Sequence, residues 1–259
     1  MLSIVIPSYK DPLLNKTVES ILQNFTGEFE VICVMDGYWQ IPVDDKRVRV
    51  VHLGKNRGMR GAINAGVDIS KGEYIMRTDE HCIFAKDFDK IMTNSCQPNW
   101  IMTAKRYFLD PIQWKVMEDQ SPVEHEKLVI QGNAKFSGQR WASRDVEQKE
   151  ITISETMAMQ GSCWLMKRSW WDEVIGELQT EGYGPHYQDS HEMVFKTWQN
   201  NGKLMLNKNT WFAHKHRSFP RTHNEGTSQN PANREIGWKY SLDAWREYYE
   251  KEIVPKWGI

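Results

Sequence analysis

The feature that most constrains this chain is an alternation in its first hundred residues. Short apolar runs of strand length are separated by segments with helical spacing. Ser3-Ile4-Val5-Ile6 has no polar alternation among its apolar residues, as expected of a strand buried on both faces. Pro7 stops it, because proline donates no hydrogen bond to a ladder. Residues 13–24, LLNKTVESILQN, place apolar side chains at 13, 14, 18, 21 and 22, which is one face of a helix. Phe29–Met35 is a second strand, ending at Asp36-Gly37, and Arg47–Leu53 is a third. Residues 57–69 read as a helix with Gly58, Gly61, Ala62, Ala65 and Gly66 on a small-residue side. Glu73–Met76 is a fourth strand, ending at Thr78-Asp79.

Strands and helices alternating at such short intervals predict an α/β fold with a mainly parallel twisted sheet flanked by helices. Right-handed crossovers place the carboxyl ends of those strands on one edge, and ligands bind along that edge. Pro7-Ser8-Tyr9, Asp36-Gly37 and Thr78-Asp79-Glu80-His81 are therefore expected to face one crevice. At 259 residues the chain suits a single large domain. Its charges balance, 33 basic against 34 acidic, so the total does not describe a strongly basic nucleic-acid binder. No apolar run approaches membrane-span length, and no signal peptide is read before the first strand. The cysteines Cys33, Cys82, Cys96 and Cys163 lack metal-type spacing and read as reduced thiols. A cytoplasmic location is the expectation.

Downstream, residues 110–150 are polar and read as an excursion over the active face. Met157–Met166 is apolar, with a helix start at Ser169. Residues 189–200, DSHEMVFKTWQN, fit a helix with Asp189 as its N-cap and Gly202 as its stop. Lys203–Leu206 and Asn209–Ala213 read as two short strands leading into His214-Lys215-His216. Residues 237–250 form an amphipathic closing helix.

The chemistry concentrates at a few positions. Asp79 and His81, two apart after a strand, project to one side if the backbone stays extended. A carboxylate with an imidazole suits Mn²⁺ or a similar divalent ion, or else forms a solvated polar turn. His214 or His216 completes such a site, or both are surface histidines. Asp189 and Glu192 share a helix face. There a carboxylate serves as general base or merely caps the helix. Asp36 contacts a base or ribose, or simply forms a turn before Gly37. Asn56, Arg57 and the following glycines offer a helix N-terminus to anions. No dinucleotide, Walker or nucleophile-elbow motif is present.

Taken together, SIVIPSY, VICVMDG and NRGMRGAINAGVDISKGEYIMRTDEH resemble the nucleotide-sugar half of GT-A fold glycosyltransferases, above all glycosyltransferase family 2. The usual Asp-x-Asp of that family reads Asp79-Glu80-His81 here. Asp-x-His is the form found in polypeptide N-acetylgalactosaminyltransferases, and YQDSHEMVFKTWQNNGKLMLNKNTWFAHKHR resembles their later segment. The resemblance implies Asp79, His81 and His214 as ligands of Mn²⁺ or Mg²⁺. It implies Asp189 as the acidic group near the acceptor. Pro7, Ser8, Tyr9, Asp36, Asn56, Arg57, Arg60, Asp79 and Glu80 become contacts to a nucleotide-diphosphate sugar, a UDP-sugar by expectation, with Arg217 a further cation for the diphosphate. The chain then divides into a nucleotide-sugar half (1–106), an insertion carrying the candidate lid (107–156), an acceptor and metal-completing half (157–217) and a closing segment (218–259). Family 2 typically inverts the anomeric centre whereas the other family retains it, and Asp189 suits inversion. The acceptor stays open among a glycan, a protein and a hydroxylated nucleobase. The basic, aromatic stretch from His214 to Tyr240 leaves DNA among these. The competing functions are a nucleotidyltransferase of similar fold and a non-catalytic nucleotide-sugar-binding module. A nucleotidyltransferase carries a Gly- and Arg/Lys-rich loop after its first strand, which residues 7–12 lack.

Overall fold

Strands β1 (Leu2–Ser8) and β2 (Phe29–Asp36) are buried along their whole length. Each divides its apolar side chains between two cores. Val5, Ile32 and Val34 enter one, while Ile4, Ile6, Val31, Cys33 and Met35 enter the other. Water meets neither face, so no polar alternation appears in their sequence. The computed structural model describes residues 1–184, 188–216 and 231–259, with side chains from 235 in the last stretch.

Between and beyond these strands come α1 (Leu14–Asn24), β3 (Val48–Leu53), α2 (Gly58–Ile69), β4 (Tyr74–Thr78), β5 (Cys82–Phe84), α3 (Phe88–Ser95) and β6 (Trp100–Asp110). Next are β7 (Lys115–Val116), the hairpin β8 (Glu126–Gln131) and β9 (Lys135–Arg140), α4 (Ala142–Glu147), β10 (Ile153–Glu155) and β11 (Cys163–Lys167). A short helix α5 (Arg168–Trp170) continues as a π-helical turn. It is followed by α6 (Asp189–Gln199), β12 (Lys203–His214), α7 (Pro231–Tyr248) and α8 (Val254–Trp257).

The central sheet runs β10-β12-β6-β11-β4-β1-β2-β3. β1 is parallel to β2 and β4, β2 to β3, and β6 to β12. β11 lies between β4 and β6, antiparallel to both. β1 to β4, β6 and β12 therefore share one direction, the mainly parallel arrangement that the alternation predicts. Their carboxyl ends form one edge carrying Ser8, Asp36, Thr78 and His214.

Helices α1 and α3 cover one face through Leu14, Val18, Ile21, Phe88 and Met92. Helices α2, α6 and α7 cover the other through Ala62, Ile63, Val67, Met193, Phe195 and Leu242. Gly66 permits a close approach of α2 to β1: a Cβ there would lie 2.3 Å from Val5 Cγ1. Within residues 107–156, the hairpin's Leu128 and Phe136 belong to the core that α2, α6 and α7 cover. Tyr249 donates its hydroxyl to the Leu128 carbonyl at 2.7 Å.

Two local expectations are corrected. Residues 203–214 form one strand, not two, interrupted by a bulge between Asn207 and Trp211. Lys208 anchors that bulge, its N–H donating to Thr152 O and its ammonium to Gln148 O. Asp189 is the first helical residue of α6, not its cap. The preceding Gln188 takes a left-handed conformation (φ 61°), and no side chain caps the helix.

Candidate active site and metal centre

Three ligand atoms converge where β4 and β12 end. His214 Nε2 lies 3.0 Å from Asp79 Oδ2 and 3.1 Å from His81 Nε2, and His81 Nε2 lies 3.7 Å from Asp79 Oδ2. All three atoms fall within 4.8 Å of one another, the spread of a group able to hold one ion. β12 carries His214 to the edge beside β5, where His214 is paired with Cys82. Burial pushes the His214 imidazole down to about 4, so near neutral pH the ring offers a lone pair. Among the described residues the buried His214 Nδ1 has no hydrogen-bond partner. His216 is drawn elsewhere: its Nε2 meets Arg106 Nη1 at 2.7 Å. One carboxylate and two imidazoles with converging ligand atoms form a donor set suited to Mn²⁺ or Mg²⁺.

Arg77 lies beneath this group, wholly buried, with Nη2 2.6 Å from Asp79 Oδ1. Burial opposes ionisation of Asp79, but the Arg77 charge and the His214 hydrogen bond hold its carboxyl well below the usual range. The Arg77 charge, itself opposed by burial, is favoured by Asp79 and next by Asp189. One cation therefore lies within electrostatic reach of both carboxylates.

Asp189 is 8 % exposed, and its Oδ2 has no hydrogen-bond partner among the described residues. A Cβ at Gly161 would lie 3.2 Å from that oxygen. Next to Gly161, the Ser162 carbonyl accepts the Asp79 N–H at 2.9 Å. A buried, unpaired carboxylate thus stands one residue along β11's approach from the metal-site backbone.

Pro7, Ser8, Tyr9, Asp36 and Glu80 line one narrow depression with Met59 and Ala62, as the shared edge requires. The Asp36 carboxylate accepts the N–H groups of Arg57 and Gly58 at 2.5 and 2.8 Å, so it holds the start of α2. Asn56 donates to the Asp36 carbonyl at 3.2 Å. Gly37, at φ 71°, leaves no room for a side chain against the Asn56 backbone. The Arg57 side chain lines an open groove with Asn64, Asp68 and Thr180. Arg60, expected at the diphosphate, is fully buried instead and forms an ion pair with Glu192 under the Tyr183 ring. Arg217 and most of the basic stretch after it lie outside the described residues.

Sequence reasoning misses two groups at this centre. Arg77 is a lone cation in an apolar strand, two residues before Asp79, and that same-face spacing was its available signal. Asp11 reaches His81 from the β1 loop, and no spacing announces that contact.

The model of the family described as Glycosyl transferase family 2 matches residues 3–175, and the chain belongs to that family. Glycosyltransferase GlyG of Streptococcus pneumoniae is 30% identical over 106 residues, covering 38% of this chain and 35% of that protein. An uncharacterized glycosyltransferase of Haemophilus influenzae is 27% identical over 146 residues, 51% of this chain and 58% of the relative. Mouse dolichyl-phosphate beta-glucosyltransferase is 37% identical over 98 residues, 30% of each chain. Each match spans less than two thirds of the relative. Among solved structures, that of GalNAc-T7 with UDP, GalNAc and Mn²⁺ superposes with a TM-score of 0.74 at 16% identity, covering 98% of this chain and 50% of that one. At that identity the likeness is one of fold, the GT-A arrangement. Among the described residues no helix is long and apolar enough to cross a membrane.

Proposed function

We propose that the chain transfers a sugar from a nucleotide-diphosphate sugar, read as a UDP-sugar, to an acceptor hydroxyl, with inversion at the anomeric carbon. The observation that carries this reading is the converging Asp79, His81 and His214 group, with the buried Asp189 carboxylate, whose Oδ2 has no hydrogen-bond partner among the described residues. Family membership supports the reaction class.

In this reading Pro7, Ser8, Tyr9 and Asp36 wall the base and ribose, and Glu80 closes the depression. Asp79, His81 and His214 hold Mn²⁺ or Mg²⁺, which when bound supplies positive charge to the leaving diphosphate. Asp189 takes the proton of the acceptor hydroxyl. The freed oxygen bonds to C1 as the bond from C1 to the diphosphate oxygen breaks, and its electron pair leaves with the diphosphate. Arg77 steadies the Asp79 carboxylate in its charged form. The acceptor hydroxyl belongs to a glycan, a protein or a hydroxylated nucleobase. The candidate lid is the loop 110–150.

The test is hydrolysis of a panel of nucleotide-sugars with Mn²⁺, comparing the native chain with His81→Ala. Turnover of one donor, lost in the variant, is the expected result. No turnover of any donor, with no donor-dependent thermal shift, would overturn the reading. Donor binding without turnover, with or without acceptors, would make the chain a binding module.

A further inference from the structure

We infer that Asp11 is a positioning residue for the metal centre, fixing the tautomer and aim of the His81 ring. This rests on the reading of Asp79, His81 and His214 as ion ligands. The Asp11 carboxylate is 4 % exposed, and its Oδ2 lies 3.0 Å from His81 Nδ1. Its other oxygen accepts the Leu13 N–H at 2.8 Å, which orients the carboxylate. An ionised carboxylate only accepts hydrogen bonds, so His81 Nδ1 must carry the proton. In the neutral ring Nε2 then bears a lone pair, aimed at His214 Nε2 and Asp79 Oδ2. A carboxylate behind a ligating imidazole raises its basicity and locks its orientation.

The surrounding backbone serves the same end. The loop after β1 is joined twice to the loop after β4. The Tyr9 N–H donates to Glu80 Oε1 at 3.2 Å, and Asp11 meets the next residue, His81. Between them Lys10 adopts a left-handed conformation (φ 56°), unusual for a side-chain-bearing residue. On the far side the Lys215 N–H donates to the His81 carbonyl at 3.1 Å, tying the residue after His214 to His81. His81 is thus held from behind by Asp11 and along its backbone by β12. The β1 loop that lines the donor depression is also the loop that aims a metal ligand.

Two measurements test this. The first is Mn²⁺ affinity from the electron paramagnetic resonance signal of free Mn²⁺, for native, Asp11→Asn and Asp11→Glu chains. Asp11→Asn is expected to bind Mn²⁺ about 10- to 100-fold more weakly, with partial recovery in Asp11→Glu. Native affinity in Asp11→Asn would overturn the inference alone. Failure of the native chain to bind Mn²⁺ would overturn the metal reading and this inference with it. The second is the ¹⁵N spectrum of the His81 ring in the native, metal-free protein, which needs no variant to fold. A ring protonated at Nδ1 is expected, and one protonated at Nε2 would overturn the inference.

Discussion

Asp189 and Glu192 lie one turn apart on α6, yet their surroundings differ. Glu192 is buried against Arg60 and receives Lys196 at 2.8 Å, so its charge is spoken for. Among the described residues Asp189 Oδ2 has no such partner. A carboxylate left unpaired in a buried place is costly, and use as a proton acceptor is a reason to keep it. Asp189→Asn is therefore expected to lower kcat about 10²- to 10⁴-fold while Mn²⁺ affinity stays native. Steady-state rates beside Mn²⁺ titration would show it, and an unchanged kcat would remove Asp189 from the reaction. At this scale the sequence exposes what lies at strand ends, because an apolar run followed by Thr78-Asp79-Glu80-His81 marks both the strand and its edge. It does not expose Asp11, whose partner is 70 residues away. Nor does it tell Arg60 from Arg57: only the fold buries one against Glu192 and leaves the other lining a groove.

Among the elements, α2 and α6 are joined by the Arg60–Glu192 pair, so the helix whose start Asp36 holds and the helix that begins at Asp189 are fixed to each other. Removing Arg60 takes the buried partner from Glu192 and leaves it only the part-exposed Lys196. Arg60→Met is expected to cost about 3–5 kcal/mol, and Arg60→Met with Glu192→Leu distinctly less. Urea unfolding of both variants separates the two values. The β8–β9 hairpin and β10 are tied through His125, wholly buried, which meets Asp145 Oδ1 at 3.0 Å and Ser154 Oγ at 2.7 Å. Burial lowers its proton affinity; Asp145 opposes that, while Arg144 and Lys208 add to it. Above its ordinary value near 6.5 the ring is neutral in both folded and unfolded chains. As pH falls below 6.5 the unfolded chain takes up the proton first, so stability drops until the folded value is passed. Urea midpoints between pH 7 and 5 are expected to fall more steeply for the native chain than for His125→Gln. The elements of the amino-terminal half are legible because apolar runs and helical spacing agree there. β12 is less so, since Asn207-Lys208-Asn209 reads as a break where the structure has a bulge.

Across the whole molecule, the family match ends at residue 175, so Asp189 and His214 both lie beyond it. The metal group draws on positions 133 residues apart, His81 and His214. In the proposed reading, ion binding is thus coupled to closure of the sheet from β4 through β11 and β6 to β12. Mn²⁺ at 100 times its dissociation constant is expected to stabilise the chain by about 2.7 kcal/mol, reversed by a chelator. The thermal midpoint measures this, and His214→Ala is expected to abolish most of the gain.

The β12 bulge has a consequence for how this chain tolerates change. Register from Lys203 to Asn207 and from Trp211 to His214 is set separately, on either side of Lys208, Asn209 and Thr210. Side chains on a strand alternate between faces, so adding or losing one residue between Trp211 and His214 turns everything beyond it to the opposite side. In this stretch the number of residues matters more than their identity. A point substitution alters a contact, whereas a single-codon deletion would turn the imidazole away from its partners. Variation in length is therefore expected to be rarer here than variation in composition.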